Sequence, residues 1–202
     1  MGRFTGPKGK VNRALGAAVF ENRGAVKALE RREYRPGMHG QRKSKVSEFG
    51  LAMREKKKIK LYYGLHERQL RRFYELASKS SENTGTELLV LCERRLDNAV
   101  RRAGFARTRA EARQGINHGH FRVNGRKVDV ASYLVRPGDA VSVAPRANVQ
   151  KHYRERLTEG LHNADWLLGD AGALTFTVAR LPMEGDISLP VEIQRVIELL
   201  SK

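Results

Sequence analysis

The chain has 202 residues, 40% of them hydrophobic, enough to bury a core in one or two domains. Its 39 Lys and Arg stand against 22 Asp and Glu, a formal net charge of +17 that points first to a polyanionic partner. No apolar run approaches the roughly 18 residues of a membrane span, the first ten residues lack the apolar centre of a signal peptide, and one cysteine, Cys92, excludes an internal disulfide framework or a mainly thiolate zinc site, so a soluble, cytoplasmic protein is expected.

The charge is uneven. Residues 1–60 hold 17 Lys and Arg against 5 Asp and Glu, and residues 61–156 hold 19 against 10; residues 157–202 reverse the balance, with 3 against 7. An RNA surface is therefore expected on the first three quarters, and the acidic last segment is expected to face protein. Residues 1–45 are rich in Gly, Arg and Lys and poor in apolar anchors, so they are expected to form an extended basic arm that becomes ordered against a partner.

Helices are expected next. Residues 47–63 start with Ser47 as N-cap and Glu48 in the first turn, and end at Gly64. Residues 66–80 place Leu70, Phe73, Tyr74 and Ala77 at helical spacing. A third helix opens on Thr84-Gly85-Thr86-Glu87, a capping-box spacing, and runs through Leu88, Leu89, Cys92, Leu96, Ala99 and Val100 to Gly104. On that helix Cys92 reads as a buried thiol, and Glu93, Asp97 and Arg101 read as charge pairs one turn apart.

Beyond Gly104 the period changes. Thr108-Arg109-Ala110-Glu111 opens a short helix, and Phe121-Arg122-Val123 alternates into Asn124-Gly125, a strong hairpin signal with Val128 and Val130 on its far side. Pro137-Gly138-Asp139 makes another turn, followed by a strand at Ala140–Val143. Residues 147–163 are expected to form a charged helix, and Trp166–Leu168 and Leu174–Val178 two strands around Gly169-Asp170. The end is helical, with Pro190 in the first turn and Ile193, Val196, Ile197 and Leu200 on one face.

These elements make an α+β fold: a helical domain with an extended basic N-terminal arm, and a compact α+β RNA-binding module of two helices and short antiparallel strands. The expected divisions are the arm at 1–45, the helical domain at 46–93 completed by the C-terminal helix at 189–202, the module at 94–154, and a strand-containing extension packed on the module at 155–188.

The candidate RNA contacts follow the cations. In the arm they are Arg3, Lys8, Lys10, Arg13, Arg42, Lys43 and Lys45. In the helical domain they are Arg54, Lys57, Lys58, Arg68, Arg71 and Arg72. In the module Arg107, Arg109, Arg113, His118, His120, Arg122, Asn124 and Arg126 are expected to form a basic face across a helix N-terminus and a hairpin edge, with Arg109 in the first turn where free N–H groups favour phosphate. Tyr62 and Tyr63 read as packing residues rather than base-stacking ones. No phosphate loop, nucleophile elbow, metalloprotease helix or His spacing for a metal is present, so neither an enzyme nor a cofactor is expected.

Several runs carry a more specific likeness. Arg95-Leu96-Asp97-Asn98, then Gly104-Phe105-Ala106-Arg107-Thr108-Arg109-Ala110-Glu111-Ala112-Arg113, Val123-Asn124-Gly125 and Ala131-Ser132-Tyr133 resemble the RNA-binding module of the small-subunit ribosomal protein S4 family. The start Gly2-Arg3-Phe4-Thr5-Gly6-Pro7, the segment Pro36-Gly37-Met38-His39-Gly40, Arg54-Glu55-Lys56-Lys57-Lys58 and the final Glu198-Leu199-Leu200-Ser201-Lys202 resemble that family in the same order, so the likeness spans the chain.

The resemblance implies a structural component of the small ribosomal subunit that binds the 5′ domain of its RNA early in assembly. It also implies neighbours in the third and fifth small-subunit proteins, a role in translational accuracy and, in some members, binding to their own messenger RNA. Neither a membrane nor an obligate homo-oligomer is implied. The alternative, an RNA-modification factor using the same module as an accessory, needs a separate catalytic domain that the remaining residues do not supply. Two positions depart from the family. Gly6-Pro7-Lys8-Gly9 lacks the thiol that opens the zinc site of some members, which implies the zinc-free form. Gly115 stands where the family usually has an apolar residue in the module's second helix, forgoing roughly 1.5–3 kcal/mol of burial, so that helix either ends early or is compensated elsewhere.

Overall fold

The computed structural model describes residues 4–42, 45–157 and 164–202. Its helices in chain order are α1 (Lys8–Leu15), α2 (Arg23–Arg31), α3 (Glu48–Tyr62), α4 (Glu67–Ala77), α5 (Thr84–Glu93), α6 (Leu96–Arg102), α7 (Arg109–Asn117), α8 (Ala147–Leu157) and α9 (Ile193–Leu200). The strands are β1 (Phe121–Val123), β2 (Arg126–Lys127), β3 (Ala140–Val143), β4 (Leu167–Asp170) and β5 (Thr175–Val178). The fold is α+β, and the chain divides into two compact units, residues 1–88 with 188–202, and residues 89–187.

The first unit begins with a departure from expectation. Where residues 1–45 lack apolar anchors and read as extended, α1 and α2 form and pack on each other. Polar groups do the anchoring. The buried Asn12 amide donates to the Phe20 carbonyl and accepts from the Phe20 N–H, both at 2.9 Å, while Arg13 donates to the carbonyls of Arg32 (3.1 Å) and Tyr34 (3.2 Å). The helices also approach closely at Gly9, where a Cβ would lie 2.9 Å from the Ala28 Cβ.

Ser47 caps α3 as expected, its Oγ accepting from the Gly50 N–H at 3.2 Å. Ile59, Tyr62, Leu70, Phe73 and Ala77 fill the interior between α3 and its neighbours. The last helix, α9, packs on α3 and α4, and Val196 is fully buried. The buried Glu55 carboxylate accepts from the Glu192 N–H at 3.1 Å, and the Tyr62 and Ser188 hydroxyls lie 2.8 Å apart. Pro190 stands before the helix instead of in its first turn, because the chain stays non-helical until Ile193.

The helix expected over 84–104, which begins in the first unit and runs into the second, is broken. Arg95 is extended (φ −64°, ψ 138°), and the break is held by distant backbone: the Val135 N–H donates to the Arg94 carbonyl at 2.9 Å, and the Leu96 N–H to the Tyr133 carbonyl at 2.8 Å. At the head of α5, Asn83 takes the capping role expected of Thr84, its Oδ1 accepting from the Gly85 N–H at 2.8 Å.

The strands form one antiparallel sheet in the order β2-β1-β3-β5-β4. The hairpin turn is as expected, with Asn124 and Gly125 both at positive φ (49° and 78°), which suits a two-residue loop. The second hairpin arm is shorter than expected: β2 ends at Lys127, and Val130 is exposed. Gly169-Asp170 lies inside β4, opposite Phe176 and Thr175, and the turn falls at the following residues, with Leu174 at φ 54°. One face of the sheet joins Leu96, Val100, Phe105, Ile116 and Trp166 in a single core.

Gly115 does not end its helix. A Cβ there would lie 2.4 Å from the Tyr153 hydroxyl and 3.3 Å from a Phe121 ring carbon, so the phenol of α8 occupies the space of the missing side chain. That ring is 5% exposed and held between Phe105 and Phe121, with centroids 6.2 and 5.2 Å away. Burial raises the Tyr153 pKa to about 12.

Candidate nucleic-acid interface

The candidate interface of the second unit starts at the N-terminus of α7. Thr108 caps it, its Oγ1 accepting from the Glu111 N–H at 3.2 Å. Glu111 sits in the first turn, accepts from the Arg107 N–H at 3.0 Å and pairs with Arg156. A carboxylate of the chain itself thus already complements the positive end of this helix.

Arg109 and Arg113 turn toward α6. The Arg109 Nε donates to Asn98 Oδ1 at 2.7 Å, and Arg113 donates through Nε (3.0 Å) and Nη2 (2.6 Å) to Asp97 Oδ2. Asp97 also accepts two bonds from the buried Arg95, at 3.1 and 2.7 Å. Beside it, Glu93 takes a two-pronged contact from Arg102 (3.0 and 2.9 Å) and a 2.6 Å bond from Asn98. Glu93 and Asp97, expected one turn apart on a single helix, lie on different helices, α5 and α6, because the chain breaks at Arg95.

These carboxylates are inside the protein. Among the described residues, the charged groups that are buried are Glu55, Glu93, Asp97 and Asp139 against one cation, Arg95. Drawing acids inward leaves the surface more positive than the composition alone implies. Arg113, with its side chain 15% exposed, serves chiefly this buried cluster. Arg107 and Arg126 are exposed.

On the sheet, Phe121 and Val123 face the core, so Arg122 faces the opposite side. Register sets Lys127 and Ser142 opposite Arg122, with Thr175 and Asp170 continuing the row, so the polar face runs from basic at the hairpin to acidic at β4. Asn124 is committed within the fold: its amide donates to Asp139 Oδ1 at 2.9 Å, and its Oδ1 accepts from the Ala140 N–H at 2.9 Å. His118 and His120 lie together, centroids 5.7 Å apart, and His120 Nδ1 is 3.2 Å from the Tyr153 hydroxyl. Burial first, then the nearby His118, His152 and Arg146, lower the His120 pKa.

In the first unit, Lys10, Arg42, Lys45, Lys57, Arg68, Arg71 and Arg72 are exposed. Lys8 is half-buried and stands over the Phe20 ring, 5.8 Å from its centroid. Arg13 is a staple for the backbone and covers the Tyr34 ring at 5.1 Å. Lys58 pairs with Glu55 at 2.7 Å and reaches the Pro190 carbonyl at 3.4 Å, tying α3 to the segment before α9. Arg54 lies beside Arg35, and burial together with that second positive charge lowers its pKa, a combination suited to an anion. Arg3 and Lys43 lie outside the described residues. Tyr153 and Arg35 escaped sequence reasoning, since their roles depend on partners far along the chain.

Residues 3–93 match the family model described as ribosomal protein S4/S9 N-terminal domain, and residues 94–141 match the S4 domain. The chain is 50% identical over 203 residues to small ribosomal subunit protein uS4 of Rhodopirellula baltica, 44% over 208 to that of Gloeobacter violaceus and 42% over 214 to that of Aquifex aeolicus, with both chains covered in full each time. By this end-to-end identity, and by an S4 domain match that includes α6, α7 and the hairpin, the chain belongs to the S4 (uS4) family of ribosomal proteins.

Proposed function

We propose that the protein is a structural, non-enzymatic component of the small ribosomal subunit that binds small-subunit ribosomal RNA directly. The observation that carries this reading is the segregation of charge: among the described residues, four buried carboxylates against one buried cation, and exposed cations on both units. Phosphate contacts then come chiefly from Arg42, Lys45, Lys57, Arg68, Arg71 and Arg72 in the first unit, and from Arg107, His118, Arg122 and Arg126 in the second. Arg109 and Arg113 hold the module's shape and add to the same field.

Its working parts are the basic segment 1–45, the helical domain 46–93 with 189–202, the module 94–154, and the extension 155–188. The packing of α9 on α3 supports joining 189–202 to the helical domain, and the pairing of β3 with β5 supports packing the extension on the module. The RNA target is a junction of the 5′ domain, bound early in assembly in the cytoplasm. The third and fifth small-subunit proteins are the protein neighbours, with an effect on accuracy, and the protein's own messenger RNA is a second target.

Chemical footprinting of small-subunit ribosomal RNA with and without the purified protein tests the reading. Protection clustered at one junction is expected. Diffuse protection along the RNA would identify a general polyanion binder instead.

A further inference from the structure

In the first unit, the chain preceding α1, the α1 helix itself, the stretch around Pro36 and α3 enclose an open groove of about 320 Å³. Its walls are apolar, from Phe4, Val11, Leu15 and Pro36, and among the described residues the polar side chains lining it are two ammonium groups, Lys10 and Lys57. We propose that this groove takes one unpaired base of the RNA, with Phe4 as the stacking surface and Lys10 and Lys57 on the flanking phosphates. The proposal rests on the RNA-binding reading above and adds a site and a ligand chemistry to it.

The aromatic ring is built into place. Phe4 is 41% exposed, yet it stacks on Phe20 with centroids 5.3 Å apart and planes 21° from parallel. It also lies against Gly6, where a Cβ would come within 2.8 Å of the ring tip. A ring that is both exposed and immobilised loses little entropy on stacking, which is what a base platform needs. Lys8 over the Phe20 ring adds a third cation to the same stack.

Charge and size select the occupant. The groove sits at the lower end of the roughly 300–1,000 Å³ typical of ligand sites, suited to one flat ring system. A nucleotide presents an apolar face bordered by anionic phosphate, matching apolar walls bordered by Lys10 and Lys57. An apolar side chain from a protein partner has no use for those ammonium groups.

The test uses the full chain and a transcript of the small-subunit RNA 5′ domain carrying 4-thiouridine in one preparation and 6-thioguanosine in another. Irradiation of the unaltered complex is expected to cross-link Phe4 or Pro36; cross-links confined to other segments would overturn the proposal. Phe4→Leu, which keeps apolar bulk without a ring, is expected to weaken binding roughly 5- to 150-fold, the value of one base stack, while Phe4→Tyr binds as the parent does. Lys10→Gln with Lys57→Gln should lower the slope of log affinity against log salt by about 1.4, from roughly 0.7 per single-strand phosphate. If Phe4→Leu binds like the parent and the junction footprint is intact, the groove is no base site although the RNA reading stands. If the unaltered protein gives no localised footprint, both fail.

Discussion

Replacing Gly115 by Ala separates a helix effect from a packing effect. In an ordinary helix interior the change stabilises by about 0.5–1 kcal/mol. Here the new Cβ would meet the Tyr153 hydroxyl at 2.4 Å, and the phenol is fixed between Phe105 and Phe121, so it has no room to swing aside. Overpacking of this kind costs about 1–3 kcal/mol, so the helical gain is cancelled or turned into a net loss of up to about 2.5 kcal/mol. For a unit of this size that corresponds to a fall of up to about 20 °C in melting temperature. Tyr153→Phe alone removes the hydroxyl and its 3.2 Å contact with His120, a loss of about 0.5–1.5 kcal/mol. The double variant relieves the clash and should be more stable than the sum of the single effects by at least about 1 kcal/mol, measured by thermal melts followed by circular dichroism. If Gly115→Ala raises stability by the usual helical increment, or the two changes simply add, Tyr153 does not occupy the place of the missing side chain.

Other consequences can be measured directly. His120 is held below its ordinary pKa of 6.5, so the unfolded chain takes up the proton first; stability should fall as pH drops below about 6.5 toward the folded value, and urea melts at pH 7.5 and 5.5 should show less of this loss in His120→Gln. Arg113→Ala leaves the buried Asp97 with Arg95 as its remaining cation in this cluster and should destabilise the second unit by about 2–3 kcal/mol, visible as a lower urea midpoint; an unchanged midpoint would contradict the role given to this pair. Deleting residues 189–202 strips Leu189 and Val196 from the first unit, a loss of roughly 3–6 kcal/mol of burial, and an unaltered melting profile would show that α9 is dispensable.

Signals carried by neighbouring residues were legible in the sequence. Ser47 and Thr108 cap their helices because an N-cap needs a short side-chain oxygen and three following residues. Asn124-Gly125 makes its turn because both residues accept positive φ at little strain. The ordered S4-like runs, from Arg95 to Tyr133, pointed to the family that the full-length identities bear out. What the sequence could not state was the choice of distant partners. The helices of residues 8–31 exist because Asn12 and Arg13 reach carbonyls 8 to 21 residues away. The chain breaks at Arg95 because residues 131–135 supply its backbone bonds. Arg113 binds Asp97, and the void at Gly115 receives Tyr153, because packing brought α6 and α8 against α7. Local spacing dictates caps, turns and amphipathic faces, since these are completed within one turn of chain. Burial of charge and the filling of space are settled by groups that meet only after folding, and so belong to the tertiary structure alone.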